Sequence, residues 1–245
     1  MRIALCQINS QWEDRVSTKD RISHIMEDWG GSADCLIFPE MVLSGFSMRS
    51  ESATLNEEDH SFFTAIAVRH DATVLYGGVE NRNNCIFSVS PRRPRKIEYR
   101  KRHLFNFGGE GEHYEAGRDF GVIEVDGFSL ALSICYDLRF AYHFWAQAKA
   151  CNAFVVIASW PEGRREHWSA LLRARAIENQ AFVIGVNRVG NDPTLAYCGD
   201  SAIFGPIGDR RIECGPAEGV YCCDLDSAEV VAVRSKFRFL EDRLQ

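Results

Sequence analysis

The sequence has no hydrophobic run long enough to form a membrane-spanning helix. Its longest apolar stretches, such as residues 154–158, are far shorter than the roughly 18 to 20 residues that a membrane helix requires. The spacings C-x-x-C and H-E-x-x-H, which often hold metal ions, are absent, and Cys222 and Cys223 point to opposite faces of a predicted strand. We therefore expect no membrane partner and no bound metal or cofactor.

The sequence also has no excess of positively charged residues. Lys and Arg number 28 against 34 Asp and Glu, which gives a formal net charge of −6 for 245 residues. One basic cluster lies at residues 91–102, but its two prolines predict a turn and a solvated hairpin better than a nucleic-acid surface. The sequence therefore predicts a protein that does not bind nucleic acid.

The cysteines show no sign of a disulfide framework. They number nine, an odd count, and are spread through apolar segments, which is typical of reduced thiols in a cytoplasmic protein. Residues 1–8 resemble a strand and not a secretion signal. With 46% hydrophobic and 25% charged residues, the chain has the composition of a globular protein, and we expect one cytoplasmic domain spanning residues 1–245.

Segments of strand and helix length alternate along the chain. Apolar, β-branched runs bounded by turn residues predict strands at 3–8, 35–38, 73–79, 85–89, 128–134, 154–158, 182–186, 201–204 and 220–224. Helical periodicity and composition predict helices at 18–29, 57–70, 140–150 and 165–179. In the last helix, Trp168 and Ile177 belong to a predicted buried stripe, and Arg175 lies on another face. The alternation predicts an α/β fold, and hairpin-like pairs predict mixed sheets.

Three polar side chains stand directly after predicted strands. Glu40 and Cys135 each follow a buried-type strand, and Lys101 follows the strand-like segment 96–100. Ligands of open α/β sheets bind beyond the carboxyl ends of the strands, so these positions suit a site. Each residue also has an explanation that needs no catalysis. Glu40 can cap a helix, and Cys135 can be a buried thiol. Lys101 can be one of the seven basic residues of the cluster at 91–102.

Cys135 lies at a predicted junction of strand, turn and helix. Backbone N–H groups at the start of the turn can receive an oxyanion, and a helix terminus or a nearby cation favours a thiolate. An acyl-transfer nucleophile needs this arrangement, and Lys101 would stabilise both the thiolate and the oxyanion if it lay close by. Candidate bases for a Cys–His site also exist, although none has a diagnostic context: His103, His113 and His143.

Three segments together resemble motifs of the carbon-nitrogen hydrolase family, also called the nitrilase superfamily: FPE at 38–40, YRKRHLF at 99–105 and SICYDLRF at 133–140. The resemblance extends from residues 3–7 through 174–180 to the strand near Ser201. It implies a four-layer α-β-β-α sandwich with mixed sheets, which usually dimerises, so we expect a homodimer or a higher homo-oligomer. It also implies the roles of general base, oxyanion stabiliser and nucleophile for Glu40, Lys101 and Cys135.

Family members carry a second glutamate in the site. The segment 110–117 offers two candidates, Glu110 and Glu112, and the sequence does not decide between them. We expect Glu110 to belong to the catalytic set and Glu112 to contact the substrate.

Within the family, the segments HLF at 103–105, CYDLRF at 135–140 and SWP at 159–161 resemble the ω-amidase branch. That branch removes ammonia from the terminal amide of 2-oxo acid amides such as 2-oxoglutaramate and 2-oxosuccinamate. Ala141 departs from the pattern, because many relatives have proline there. The alternative activities are hydrolysis of an N-carbamoyl compound or a nitrile, and acyl transfer to an acceptor other than water. Nitrilases usually have Cys-Trp-Glu where this chain has Cys-Tyr-Asp, which disfavours nitriles.

An ω-amidase substrate carries a carboxylate in addition to its amide. Arg139, Arg164 and Arg165 follow predicted strand ends, where each is either a bidentate carboxylate ligand or a surface charge. Trp160 is either an apolar wall of the pocket or a core aromatic residue. The backbone N–H of Tyr136 is expected to bind the oxyanion beside Lys101.

Overall fold

Two six-stranded sheets and one hairpin make up the β-structure of the computed structural model, which describes residues 1–243. Residues 244 and 245 of the predicted domain lie outside the described residues. The strands are β1 (Arg2–Gln7), β2 (Cys35–Ile37), β3 (Thr73–Glu80), β4 (Asn83–Ser90), β5 (Arg93–Arg100), β6 (Gly121–Val125), β7 (Phe128–Ile134), β8 (Ala153–Ala158), β9 (Phe182–Asn187), β10 (Val189–Asn191), β11 (Ala196–Cys198), β12 (Ala202–Phe204), β13 (Arg210–Glu213) and β14 (Gly219–Asp224).

Helices connect many of these strands. The α-helices are α1 (Arg15–Trp29), α2 (Ser50–Ala53), α3 (Glu57–His70), α4 (Glu110–His113), α5 (Ala141–Trp145), α6 (Arg165–Asn179) and α7 (Ser227–Lys236). Short 3₁₀ helices lie at Asn106–Gly108, Cys135–Arg139, Ala148–Ala150 and Glu162–Arg164. Over residues 1–243, none of the helices is both long and apolar enough to cross a bilayer.

Each large sheet has a parallel centre and antiparallel flanks. The first sheet has the order β14-β1-β2-β3-β4-β5, in which β1, β2 and β3 are parallel. The second has the order β13-β12-β9-β8-β7-β6, in which β7, β8 and β9 are parallel. Strands β3 and β4 form the predicted antiparallel hairpin. The prediction of an α/β fold with mixed sheets is therefore confirmed.

The apolar core is divided among the layers. Inward-facing side chains of the two sheets, among them Leu5 and Ile37 from the first and Leu132 and Ile157 from the second, form one buried cluster. A second cluster lies between the outer face of the first sheet and helices α1 and α3, and a third lies between the second sheet and helices α5 and α6. Helix, sheet, sheet and helix thus form four layers.

The helix predicted at 140–150 is only partly correct. It is α-helical over α5 alone and resumes as a 3₁₀ turn at Ala148–Ala150. The side-chain amide of Gln147 donates to the His143 carbonyl, and its backbone N–H bonds to the Phe144 carbonyl, three residues back. The His143 carbonyl, which a continuing α-helix would offer to the Gln147 backbone, is therefore used by the side chain.

Gly77 of β3 lets the segment after β2 pass close to the sheet. A Cβ at Gly77 would lie 2.5 Å from the Pro39 carbonyl oxygen and 2.6 Å from the Glu40 Cα. The Gly77 N–H bonds to that same carbonyl at 3.2 Å. Only glycine permits so close an approach, which fixes the backbone that carries Glu40.

Candidate active site

The three predicted residues meet where strands of both sheets end. Glu40 follows β2 after two residues, Lys101 directly follows β5, and Cys135 directly follows β7. Glu40 and Lys101 are fully buried, and Cys135 is partly exposed at the wall of a cavity. Residues far apart in the sequence thus come together at one place between the sheets.

Lys101 lies between two carboxylates. Its Nζ is 2.8 Å from Glu40 Oε1, 3.0 Å from Glu110 Oε1 and 2.9 Å from Glu110 Oε2. Burial alone would lower the pKa of Lys101, but the charges of Glu110 and Glu40 outweigh it and raise the pKa above its ordinary value. The ammonium is therefore charged throughout the neutral range, as a stabiliser of negative charge must be.

The structure places Glu110, and not Glu112, in this cluster. Glu110 begins the short helix α4, is fully buried, and accepts a hydrogen bond of 2.6 Å from the Phe105 N–H at Oε2. Glu112 lies in the same helix but is exposed and does not line the cavity. The prediction that Glu112 contacts the substrate is therefore wrong, because the turn of α4 directs its side chain to solvent.

Cys135 has an unusual backbone conformation. Its φ is +46°, in the left-handed region that residues other than glycine seldom adopt, and it begins the 3₁₀ helix Cys135–Arg139. The N–H of Tyr136 lies in the first turn of that helix, where backbone donors lack an intrahelical partner. Cys135 thus begins a turn whose first backbone N–H groups are available as donors, the arrangement expected of an oxyanion site.

The environment of Cys135 does not favour a resting thiolate, contrary to the sequence-based expectation. Burial and then the negative charge of Glu40 raise the pKa of the thiol well above its ordinary value, and Lys101 only partly opposes this. Two carboxylates face one cation in the cluster, so its local charge is negative. The thiol is protonated at neutral pH and needs a base to react.

The site also contains Asn84, which the sequence did not predict. It lies on β4, is fully buried, and donates from Nδ2 to Glu40 Oε1 at 2.8 Å and to Glu110 Oε1 at 3.1 Å. The only local signal is a polar residue in an otherwise apolar strand, which does not reveal its partners. The other oxygen of Glu40, Oε2, accepts from the Ser159 N–H at 2.8 Å.

Asp137 joins the turn of Cys135 to the loop of Lys101. Its fully buried carboxylate accepts from Tyr99 Oη at 2.7 Å and the Ile134 N–H at 2.9 Å, and from the His103 N–H at 3.0 Å and Nδ1 at 2.7 Å. Burial alone would raise the pKa of Asp137, but these donors and the nearby His143 lower it below its ordinary value. The carboxylate therefore stays ionised and clamps the two loops.

One group within residues 1–243 could hold a metal ion, and it consists of His103, Asp137 and His143. Their ligand atoms lie within 4.8 Å of one another. Both Asp137 oxygens already accept two hydrogen bonds each, and Nδ1 of His103 is one of the donors. Hydrogen bonding accounts for the group without an ion.

A cavity of about 270 Å³ opens in front of Cys135. Its walls are mostly apolar and aromatic, and they include the predicted residues Tyr136, Arg139 and Trp160. Trp160 is almost fully buried, and its indole N–H donates to the Arg164 carbonyl at 2.8 Å, so the ring is fixed in the wall. The cavity suits a small organic substrate.

Two of the three candidate arginines line this cavity. Arg139 stacks over Trp160 at 4.8 Å and Arg164 over Phe105 at 5.4 Å, and neither forms an ion pair with any residue of 1–243. Arg165 makes two hydrogen bonds of 3.0 Å to Asp200 and does not line the cavity. Arg165 is therefore not a substrate ligand, because its guanidinium is already used.

Helix α6 buries most of its predicted stripe, including Trp168, Leu172 and Ala176, but Arg175 and Ile177 depart from the prediction. The Arg175 guanidinium is buried and donates to the Leu138 carbonyl at 3.1 and 2.9 Å, whereas Ile177 is 47% exposed. Apolar periodicity cannot foresee a buried cation. Arg175 satisfies a carbonyl of the 3₁₀ helix that follows Cys135 and so fixes that turn.

Comparisons with known proteins agree with this geometry. Residues 2–235 match a family model described as "Carbon-nitrogen hydrolase". The chain is 32% identical to the omega-amidase YafV of Yersinia enterocolitica, covering 99% of this chain and 96% of that protein. It is 33% identical to the 2-oxoglutaramate amidase of Bacillus subtilis strain 168, covering 86% of this chain and 85% of the relative.

A solved structure is similar over the whole chain. It is a CN-hydrolase superfamily protein of Xanthomonas campestris with an arsenic adduct in its active site. The TM-score is 0.92 and the identity 30%, over 100% of this chain and 97% of the other. The predicted α-β-β-α sandwich is therefore confirmed. The family match and the two relatives show that the chain belongs to the carbon-nitrogen hydrolase family and hydrolyses non-peptide carbon–nitrogen bonds.

Proposed function

We propose that the protein is an ω-amidase, which hydrolyses the terminal amide of a small 2-oxo acid amide such as 2-oxoglutaramate or 2-oxosuccinamate. The observation that carries this proposal is a small cavity lined by a thiol, Cys135, and by two arginines, Arg139 and Arg164, that form no ion pair within residues 1–243. A linear substrate with an amide at one end and a carboxylate at the other matches both features. The names of the two relatives support the same substrate class.

In the first half of the reaction, Glu40 acts as general base. It takes the proton of Cys135 as the sulfur attacks the amide carbonyl, because the raised pKa of the thiol leaves little thiolate at rest. The oxyanion of the tetrahedral intermediate is stabilised by Lys101 and the Tyr136 N–H. The carbon–nitrogen bond then breaks, the leaving nitrogen takes the proton from Glu40, and ammonia and a thioester on Cys135 are formed.

In the second half, water replaces ammonia. Glu40 takes a proton from the water as its oxygen attacks the thioester, and the same donors stabilise the second oxyanion. The carbon–sulfur bond breaks, the carboxylic acid leaves, and the sulfur regains its proton from Glu40. Glu110 holds the Lys101 ammonium in place throughout, since it bonds to Nζ through both oxygens.

The carboxylate of the substrate binds beside the two arginines of the cavity wall. Arg139 and Arg164 supply the charge, and stacking on aromatic rings restricts both guanidinium groups. The one acidic residue of the cavity wall, Asp192, is already satisfied by Tyr197 Oη at 2.6 Å and by N–H groups of its own loop. The net charge around the substrate carboxylate is therefore favourable.

We also propose that the enzyme is a cytoplasmic homodimer that binds neither nucleic acid nor membrane. The nine cysteines form no disulfide in the described residues, which suits a reducing compartment. The formal charge of −6 disfavours a polyanionic partner. Exposed aromatic residues of α5 and of the segment after α7 offer a surface for a second copy.

The direct test is ammonia release from a panel of ω-amides, nitriles and N-carbamoyl compounds. We expect turnover of 2-oxo acid ω-amides without an added acceptor, poor turnover of an amide that lacks a carboxylate, and a thioester mass on Cys135. Cys135→Ser should abolish turnover, whereas Cys222→Ser, on β14, should not change it. Retained turnover in Cys135→Ser, or reaction with nitriles alone, would contradict the proposal.

A further inference from the structure

The side chain of Asn84 lies between the two catalytic-site carboxylates. Its Nδ2 reaches Glu40 Oε1 at 2.8 Å and Glu110 Oε1 at 3.1 Å, and the residue is fully buried. A carboxylate can only accept hydrogen bonds, so the NH₂ group and not the oxygen must face the two glutamates. The amide orientation is therefore fixed by chemistry, although Oδ1 has no partner within the described residues.

Hydrogen bonding makes the two oxygens of Glu40 unequal. Within the described residues, Oε1 accepts from both Asn84 and Lys101, whereas Oε2 accepts only from the Ser159 N–H. Ser159 lines the cavity together with Cys135, and the charge of Glu40 is one cause of the raised pKa of the Cys135 thiol, so Glu40 lies close to the sulfur. Oε2, which bonds to a residue of the cavity wall, is therefore the oxygen of Glu40 that can accept a further proton.

Glu110 is arranged differently. Its Oε1 accepts from Asn84 and Lys101, and its Oε2 accepts from Lys101 and the Phe105 N–H. Glu110 therefore has two donors on each oxygen within the described residues, which leaves it little capacity to accept a further proton. Asn84 thus contacts two glutamates with different roles, because Glu110 holds the Lys101 ammonium and Glu40 transfers protons.

We propose that Asn84 is a positioning residue that anchors Glu40 through Oε1, so that Oε2 receives the proton of Cys135 and later that of water. This inference rests on the proposed amidase chemistry. Without Asn84, Oε1 loses one of its two donors, and the carboxylate can rotate about its last torsion, which moves Oε2 out of the position for proton transfer. The groups that face Asn84 or its two partners are Glu40, Glu110, Lys101, Cys135 and Tyr114.

The test uses the full chain with Asn84→Leu, which removes the donors, and Asn84→Asp, which keeps the shape and adds a third carboxylate. For Asn84→Leu we expect kcat to fall about 10- to 100-fold, the range for a hydrogen bond to a charged group, with KM changed less than about twofold. Asn84→Asp should lose more activity at neutral pH than Asn84→Leu.

The matched control is Asn83→Leu, since Asn83 is adjacent but donates to the Glu115 carbonyl outside the cluster. Its kcat and KM should equal those of the wild type. The rate at which iodoacetamide alkylates Cys135 at neutral pH, followed by peptide mass, needs no substrate and should be lower in Asn84→Leu than in the wild type, so it still tests the inference if no amide is hydrolysed. An unchanged alkylation rate in Asn84→Leu, or wild-type kcat in Asn84→Asp, would overturn the proposal.

Discussion

Single residues in this protein are tuned by what surrounds them more than by their type. The Cys135 thiol has a raised pKa because it is buried beside Glu40, and the pKa of Lys101 is raised because two carboxylates contact it. At rest the site therefore holds a protonated thiol beside a charged lysine, and not a thiolate paired with a cation. The base must act during attack, which is why the proposed role of Glu40 is essential and not auxiliary.

His143 provides a test of burial at the residue scale. It is fully buried behind β7, with Nε2 3.1 Å from Ser133 Oγ, and burial lowers its pKa from 6.5 to about 4. The folded state therefore keeps His143 neutral while the unfolded state binds a proton below pH 6.5, so stability falls as the pH drops from 6.5 towards 4. Between pH 7 and pH 5 this residue should cost about 2 kcal/mol.

Urea denaturation at both pH values measures the effect. In His143→Gln, the drop in unfolding free energy between pH 7 and pH 5 should be smaller than in the wild type by about 2 kcal/mol. His24→Gln is the control, because His24 is exposed on α1. Equal drops in the wild type and in His143→Gln would show that His143 is not the group that titrates.

At the scale of elements, the site depends on links between loops that follow different strands. Asp137 bonds to the residue before Cys135 and to His103, two residues after Lys101. Arg175 of α6 holds the same 3₁₀ helix from the other side through the Leu138 carbonyl. Together they keep the nucleophile and the lysine at a fixed separation, although neither contacts the cavity.

We predict that Asp137→Asn loosens this junction. An amide has one acceptor oxygen, so its NH₂ group would face donors that now bond to a carboxylate, and the unfolding free energy should fall by about 2 to 4 kcal/mol. Tyr99→Phe removes one of the four hydrogen bonds and should cost about 1 to 2 kcal/mol.

Thermal denaturation and kcat of the two variants provide the comparison. The Asp137→Asn variant should also lose more kcat than Tyr99→Phe, since it frees the loop of Lys101 as well as that of Cys135. Equal losses of stability and of kcat in the two variants would show that Asp137 does not link the loops of Cys135 and Lys101.

At the scale of the whole molecule, the helical layer that covers the second sheet exposes large apolar side chains to solvent. Trp145 of α5 and Ile177 of α6 are 50% and 47% exposed, and Phe239 is 60% exposed. Arg243 connects this surface, because it stacks on Trp145 at 5.0 Å and bonds to Asn179 of α6 at 3.0 Å. An apolar patch formed by these side chains would be typical of a protein interface.

We predict that this surface forms the homodimer. The wild type should elute from size-exclusion chromatography, with light scattering, at twice the monomer mass, and Trp145→Glu should shift it to the monomer because a buried unpaired charge is costly. Val68→Glu is the control, since Val68 is equally exposed but lies on α3, on the opposite outer layer. A dimer that survives Trp145→Glu, or a monomeric wild type, would exclude this interface.

The sequence by itself determined the elements that depend on local pattern. The strand before Cys135 and the helix after Arg164 were predicted with their observed bounds, because alternation, apolar runs and periodicity are properties of neighbouring residues. The strand β6 and helix α7 were missed, since their apolar patterns are short and weak. The order of Glu40, Lys101 and Cys135 at strand ends was likewise visible in the sequence.

Only the tertiary structure decided which groups act on which. It placed Glu110 against Lys101 and Glu112 in solvent, separated Arg165 from the cavity, and brought Asn84 of β4 between two carboxylates. These results depend on distances between segments far apart in the chain and on how deeply each group is buried. Coulombic energies depend on the distance between charges and desolvation energies on burial, and neither quantity can be obtained from residue order alone.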